Sequence, residues 1–150
     1  MPPTKERLQD DVKAALKAGD RARLGVLRMV MAAIKQREVD SRETLDDAAV
    51  LSILEKMVKQ RQDAISQFER GNRGDLVAKE TAEIDVIRTY LPEPLDETAI
   101  TALIDAAIAD TGAAAPSDMG RVMAEIKKNA AGRVDMGQIS QLVRAQLSAS

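Results

Sequence analysis

Ala, Leu, Glu, Lys, Arg and Gln fill nearly every segment of this chain, alternating β-branched runs are absent, and the aromatics are Phe68 and Tyr90 alone. A sheet needs period-two alternation of residues that pack on a pleated surface. Here the apolar residues recur every three and four positions, among residues that lose little side-chain freedom in a helix. The chain is therefore predicted to be all-α. Pro92-Glu93-Pro94 cannot continue a helix and stiffens the chain into an extended connector. It divides the sequence into a four-helix N-terminal bundle over 1–93 and a small three-helix C-terminal domain over 94–150. Three helices in a stretch that short lie near the lower size limit for independent stability.

The predicted helices follow from stripes and caps. The first runs from a Thr4 cap to Lys17 with Leu8, Val12, Ala15 and Leu16 on one face, and Ala18-Gly19 closes it. Asp20 caps a second helix over 21–39 whose apolar arc (Leu24, Leu27, Val30, Met31, Ile34, flanked by Val26, Met29 and Ala33) is wide enough for two neighbours, making it the central helix of its bundle. Thr44 is expected to cap the third, which carries Val50, Leu54, Met57, Val58, Ile65 and Phe68, is interrupted by Arg61, and ends at Gly71-Asn72. The fourth covers 74–90. Beyond the prolines, Asp96, Ser117 and Asp135 are the expected caps of the last three helices.

Composition excludes several chemistries. With no cysteine and no histidine, the chain has no disulfide, thiolate metal site or thiol nucleophile, and it lacks the commonest general base. Adjacent acids at Asp10-Asp11, Asp46-Asp47 and Asp96-Glu97 fall in first helical turns or on solvated faces, where they complement the helix dipole, and neighbours at i and i+1 point apart. The six internal methionines sit mostly at core spacing. No catalytic residue, cofactor or metal is expected. Arg28 and Arg61 lie near apolar stripes, which predicts a buried stem with a paired head group. Lys59-Gln60-Arg61 and Arg70 to Arg73 read more readily as solvated faces than as phosphate contacts. The N-terminus Met1-Pro2-Pro3-Thr4-Lys5-Glu6-Arg7 lacks the apolar core of a signal peptide, so the cytoplasm is the expected compartment.

The net charge of −2 hides a gradient. Residues 94–118 hold Asp96, Glu97, Asp105, Asp110 and Asp118 and no base, whereas 119–150 hold Arg121, Lys127, Lys128, Arg133 and Arg144 against Glu125 and Asp135. Attraction for a phosphate chain is thus expected at the C-terminal end. Gly120 and Gly137 fall just inside two helix starts, where glycine costs about 1 kcal/mol relative to alanine. Either helices pack closely inside the domain, or another backbone, a helix or a nucleic-acid phosphate, approaches the helix N-termini.

Arg28 through Ala33, Lys59-Gln60-Arg61 with Asp63, Gly71 through Leu76, Glu83-Ile84, Tyr90-Leu91-Pro92 with Leu95, Asp118-Met119-Gly120-Arg121-Val122-Met123 and Gly132-Arg133-Val134-Asp135-Met136-Gly137 together resemble the YqeY family over the full chain. The stretch 94–150 also resembles the tail domain of the B subunit of tRNA-dependent aspartyl/glutamyl amidotransferase. Met136 departs from the family pattern, in which glycine often follows the aspartate directly, and this puts the geometry of the last cap in question. The resemblance implies a tail that meets the tRNA elbow. Gly120, Arg121, Lys127, Lys128, Gly132, Arg133 and Gly137 match the tail pattern or lie inside it, and are the implied nucleic-acid-binding residues. The amidotransferase's catalytic parts have no counterpart here, so a carbon–nitrogen ligase label would belong to that larger enzyme.

The expected function is a non-catalytic accessory protein that binds tRNA by shape and phosphate contacts, or assists a tRNA-dependent amidotransferase or aminoacylation system. Partners are tRNA and a tRNA-processing or aminoacylation enzyme, with neither membrane nor DNA expected. No aromatic lies in 95–150, so stacked single strands are disfavoured and folded RNA remains. The competing class is a helical protein–protein adaptor without RNA binding.

Overall fold

The computed structural model describes residues 3–149, which form seven α-helices, one short 3-10 turn and no strand. Met1 and Pro2, the first residues of the stretch weighed as a leader, lie outside the described residues. The helices fall into two compact units, Met1–Pro92 and Glu93–Ser150.

In the first unit, α1 (Thr4–Ala18), α2 (Arg21–Ser41), α3 (Asp47–Arg70) and α4 (Gly74–Arg88) bury Leu8, Leu27, Ile34, Leu54 and Ile87 almost completely. Each such side chain contributes roughly 1.5–3 kcal/mol through lost apolar surface. α2 packs on α1, α3 and α4 as its wide arc predicts, although α3 also touches all three others and shares the centre. Gly19 closes α1 at φ 72, and the Asp20 carboxylate accepts the Arg23 N–H.

In this unit two expected caps differ. Thr4 is the first residue inside α1, buried, with its N–H donated 2.8 Å to Asp47 Oδ1. Asp46, not Thr44, caps α3 by accepting the Ala49 N–H. A carboxylate offers two acceptor oxygens and a charge to a helix start, so adjacent aspartates displace the threonine. α3 ends at Gly71, but Asn72 takes the left-handed backbone at φ 55.

Of the two interior arginines, only Arg61 meets the expectation. Its Nε lies 3.0 Å from Glu83 Oε2 and 4.0 Å from Glu80 Oε2, and its Nη1 donates to the Met57 carbonyl, tying α3 to α4. Arg28 is exposed and Met29 is 40% exposed, so the arc of α2 is narrower than the sequence suggests. Tyr90, 2% exposed, donates its hydroxyl to Asp11, accepts from Arg23 Nη2, and carries the Arg7 guanidinium over its ring at 5.2 Å. Burial, reinforced by the Asp11 carboxylate, pushes its phenol up to about 12.

The second unit holds α5 (Glu97–Thr111), the 3-10 turn Pro116–Asp118, α6 (Met119–Ala130) and α7 (Met136–Ser148) around Val122, Ile126, Ile139, Val143 and Leu147. Asp96 caps α5 by accepting the Ala99 N–H. Among the described residues no single helix is long and apolar enough to cross a membrane.

Candidate nucleic-acid interface

The amphipathic pattern of α6 sets the geometry. Val122, Ile126 and Ala130 are buried, which turns Gly120, Arg121, Ala124, Lys127 and Lys128 outward. A separation of seven residues is within about 20° of two full helical turns. Gly120 therefore shares a line with Lys127, and Arg121 with Lys128. The result is one exposed stripe about 12 Å long carrying three cations and two small residues. Ala124 was not anticipated, although its spacing of four from Gly120 and three from Lys127 carries that information.

A Cβ built on Gly120 meets nothing within 4 Å. Close packing within the unit is thus not what places a glycine there. Lys127 and Lys128 stand exposed in the last helical turn, where they complement the negative end of the helix dipole. Among the described residues neither ammonium has an acidic partner.

The other anticipated residues are engaged structurally. Gly132 is buried in the turn between α6 and α7 at φ 79, a backbone position that side chains rarely adopt. Arg133 is exposed, but its Nε donates 2.9 Å to the Glu93 carbonyl, while its own carbonyl accepts the Leu95 N–H at 3.0 Å. These two bonds moor the connector to the α6–α7 turn. Gly137 is exposed, with its N–H given to Asp135 Oδ1 at 2.9 Å. Asp135 thus caps α7 despite the Met136 departure.

Asp118 replaces the Ser117 cap by reaching backward. Its Oδ2 accepts the N–H groups of Ala114 and Ala115 at 3.0 and 3.1 Å, and its Oδ1 pairs with Arg121 Nη2 at 2.7 Å. Arg121 Nη1 also donates to the Thr111 carbonyl. The two backbone donors and the guanidinium hold the Asp118 carboxyl down at about 2, against an ordinary 3.8. A depressed carboxyl contributes stability that is complete above the ordinary value and is lost as pH falls through the folded one. Between pH 4 and 2, amide-exchange protection at Ala114 and Ala115 is expected to fall ahead of that of the buried core, and Asp118→Ala is expected to remove it at neutral pH. Unchanged protection in the variant would dismiss this latch.

The start of α7 is thus answered by the Asp135 carboxylate, whereas that of Asp118 engages Ala114, Ala115 and Arg121 and caps no amide of α6; what the surface offers an anion is the cationic stripe. Among the described residues no group of acids is arranged to hold a metal ion.

The Yqey-like protein family model matches residues 5–147. The chain is 38% identical over 85 residues to "Altered inheritance of mitochondria protein 41, mitochondrial" of Lachancea thermotolerans, a match that covers 56% of this chain and 46% of that protein. The chain thus spans less than half of that relative. It is 30% identical over 148 residues to the protein of the same name from Pyrenophora tritici-repentis, covering 95% of this chain and 80% of the relative. These relatives, named as mitochondrial, overturn the cytoplasmic expectation. The physical reason is that a mitochondrial targeting segment is amphipathic and Arg-rich, so a missing apolar core speaks only against secretion. From its first helix to its last, the chain belongs to the Yqey-like family.

Proposed function

We propose that this protein is a non-catalytic accessory factor that binds folded RNA, tRNA in the first instance, through the outer stripe of α6. The observation that supports this reading is the alignment of Gly120, Arg121, Ala124, Lys127 and Lys128 on one exposed face. The small residues admit a phosphate backbone closely, and the cations neutralise it. Structured RNA is held by shape and phosphate contacts, which this surface can make. Gly132, Arg133 and Gly137 serve that surface by shaping the turn and helix start beside it. The resemblance to an amidotransferase tail points to the same ligand. The mitochondrial names of the relatives make an organellar translation system a reasonable place to look for it.

Neutralising Lys127 and Lys128 to Gln together removes two phosphate contacts without placing acids at the negative end of α6. Affinity for tRNA at low salt is expected to fall by about tenfold, and the slope of log K against log salt to flatten from about −3 towards −1. Reversing Lys56 and Arg70 on α3 should change either quantity far less. Absence of tRNA binding by the natural chain at low salt would transfer the reading to a helical adaptor. Equal loss from both pairs would reduce it to nonspecific electrostatics.

A further inference from the structure

Residues 21–37 of α2 contain five cations, Arg21, Arg23, Arg28, Lys35 and Arg37, and no acid. Arg21, Arg28 and Lys35 recur every seven residues, so they stand on one line at intervals of about 10 Å. Gly25 lies between the first two and Ala32 between the last two, all of them exposed. Among the described residues none of these three head groups has an acidic partner. Beside the upper half of this line, α1 and α2 leave a groove of about 390 Å³. Its apolar lining includes Leu16, Gly19, Leu24 and Gly25, and Arg21 and Arg28 line it as well. Leu16 is 60% exposed, and a Cβ on Gly25 meets nothing within 4 Å.

We infer that this groove docks an acidic amphipathic helix of a partner protein, which lays apolar side chains over Leu16 and Gly25 and presents carboxylates to Arg21, Arg28 and Lys35. The occupant follows from the mixture of chemistry. A second copy of α2 would bring like charges together. A nucleic-acid backbone satisfies the cations but has no apolar group for the apolar lining, and the chain's aromatics cannot stack a base here, since Tyr90 is buried and Phe68 lies on α3. A helix with leucines on one stripe and acids beside it satisfies both, in the helix-in-groove mode. The absence of a side chain at Gly25 lets its backbone approach closely. This inference is independent of the RNA reading, which concerns the other unit.

The probe is a labelled peptide of roughly 18 residues, about five helical turns, with leucines at i, i+4, i+7 and i+11 and glutamates at seven-residue spacing. Fluorescence anisotropy with the full chain is expected to show binding that weakens with salt. Gly25→Leu fills the groove and should weaken binding by about tenfold. Its melting temperature should hold or rise, because leucine favours helix over glycine, so a binding defect there is not an unfolding defect. Arg21→Glu with Arg28→Glu should lose about as much and regain it for a peptide carrying Lys in place of Glu. Failure of the natural chain to bind the acidic peptide, equal binding of a scrambled peptide, or full binding by Gly25→Leu would overturn the inference. So would loss of tRNA rather than peptide binding in the double arginine variant, which would assign the face to nucleic acid.

Discussion

Replacing Gly132 by valine is expected to unfold the C-terminal unit while the helices of the N-terminal unit persist. Gly132 holds φ 79 and is buried between α6 and α7. A β-branched residue there costs about 1–3 kcal/mol in backbone strain. Inserting its side chain into a packed turn adds about 1–3 kcal/mol more. A unit this small has only a few kcal/mol to lose. The same turn accepts the Leu95 N–H and anchors the Glu93 carbonyl through Arg133, so its distortion also frees the connector. Gly132→Asn should be milder, because asparagine tolerates left-handed backbone. Amide cross-peaks of 97–148 should collapse in the valine variant and those of 5–88 remain. If Gly132 were a phosphate contact and nothing more, the valine variant would fold normally and lose RNA alone.

Arg61→Ala is expected to destabilise the N-terminal bundle by about 2–4 kcal/mol at neutral pH. The pair Arg61–Glu83 is 3.0 Å long with side chains 13% and 14% exposed, and Glu80 stands at the same guanidinium. Surface pairs contribute up to about 1 kcal/mol, whereas removing one partner of a buried pair costs about 3–5 kcal/mol, because an uncompensated charge is left behind. This site lies between those limits. In a bundle of this size the loss corresponds to a drop of about 10–20 °C in melting temperature.

The defect should depend on pH. Burial, and then the Glu83 charge, hold the Glu80 carboxyl above its ordinary 4.5. A raised carboxyl stabilises the fold below its ordinary value and stops doing so as pH rises through its folded value. Without the Arg61 cation that shift grows. The deficit of Arg61→Ala should therefore be largest at neutral pH and shrink towards pH 4, where Glu80 takes up a proton. Arg61→Met with Glu83→Leu should recover most of the stability, since an apolar pair leaves no charge unanswered. A deficit that is flat from pH 7 to 4 would mean that packing of the arginine stem, not its charge, is what is lost.

The sequence by itself determined the helical class, the breaks, and the caps at Asp20, Asp96 and Asp135, because each depends on residues within one or two turns of one another. Gly120, Arg121, Lys127 and Lys128 are implied by the family resemblance, and their place on one outward face follows from the burial of Val122, Ile126 and Ala130 on the other side of α6. What the tertiary structure decided involves partners distant along the chain. Asp47 answers the first N–H of α1 across 43 positions, and Tyr90 reaches Asp11 across 79. Arg61 finds Glu83 while Arg28, equally close to an apolar stripe in the sequence, stays in solvent. An apolar stripe says which side of a helix turns inward, but not whether a neighbouring helix brings a carboxylate to the edge of that side. Gly132 and Gly120 make the same point. One glycine is required by a left-handed turn and the other is required by nothing within its own unit, a difference that exists only once the backbone around each has been placed.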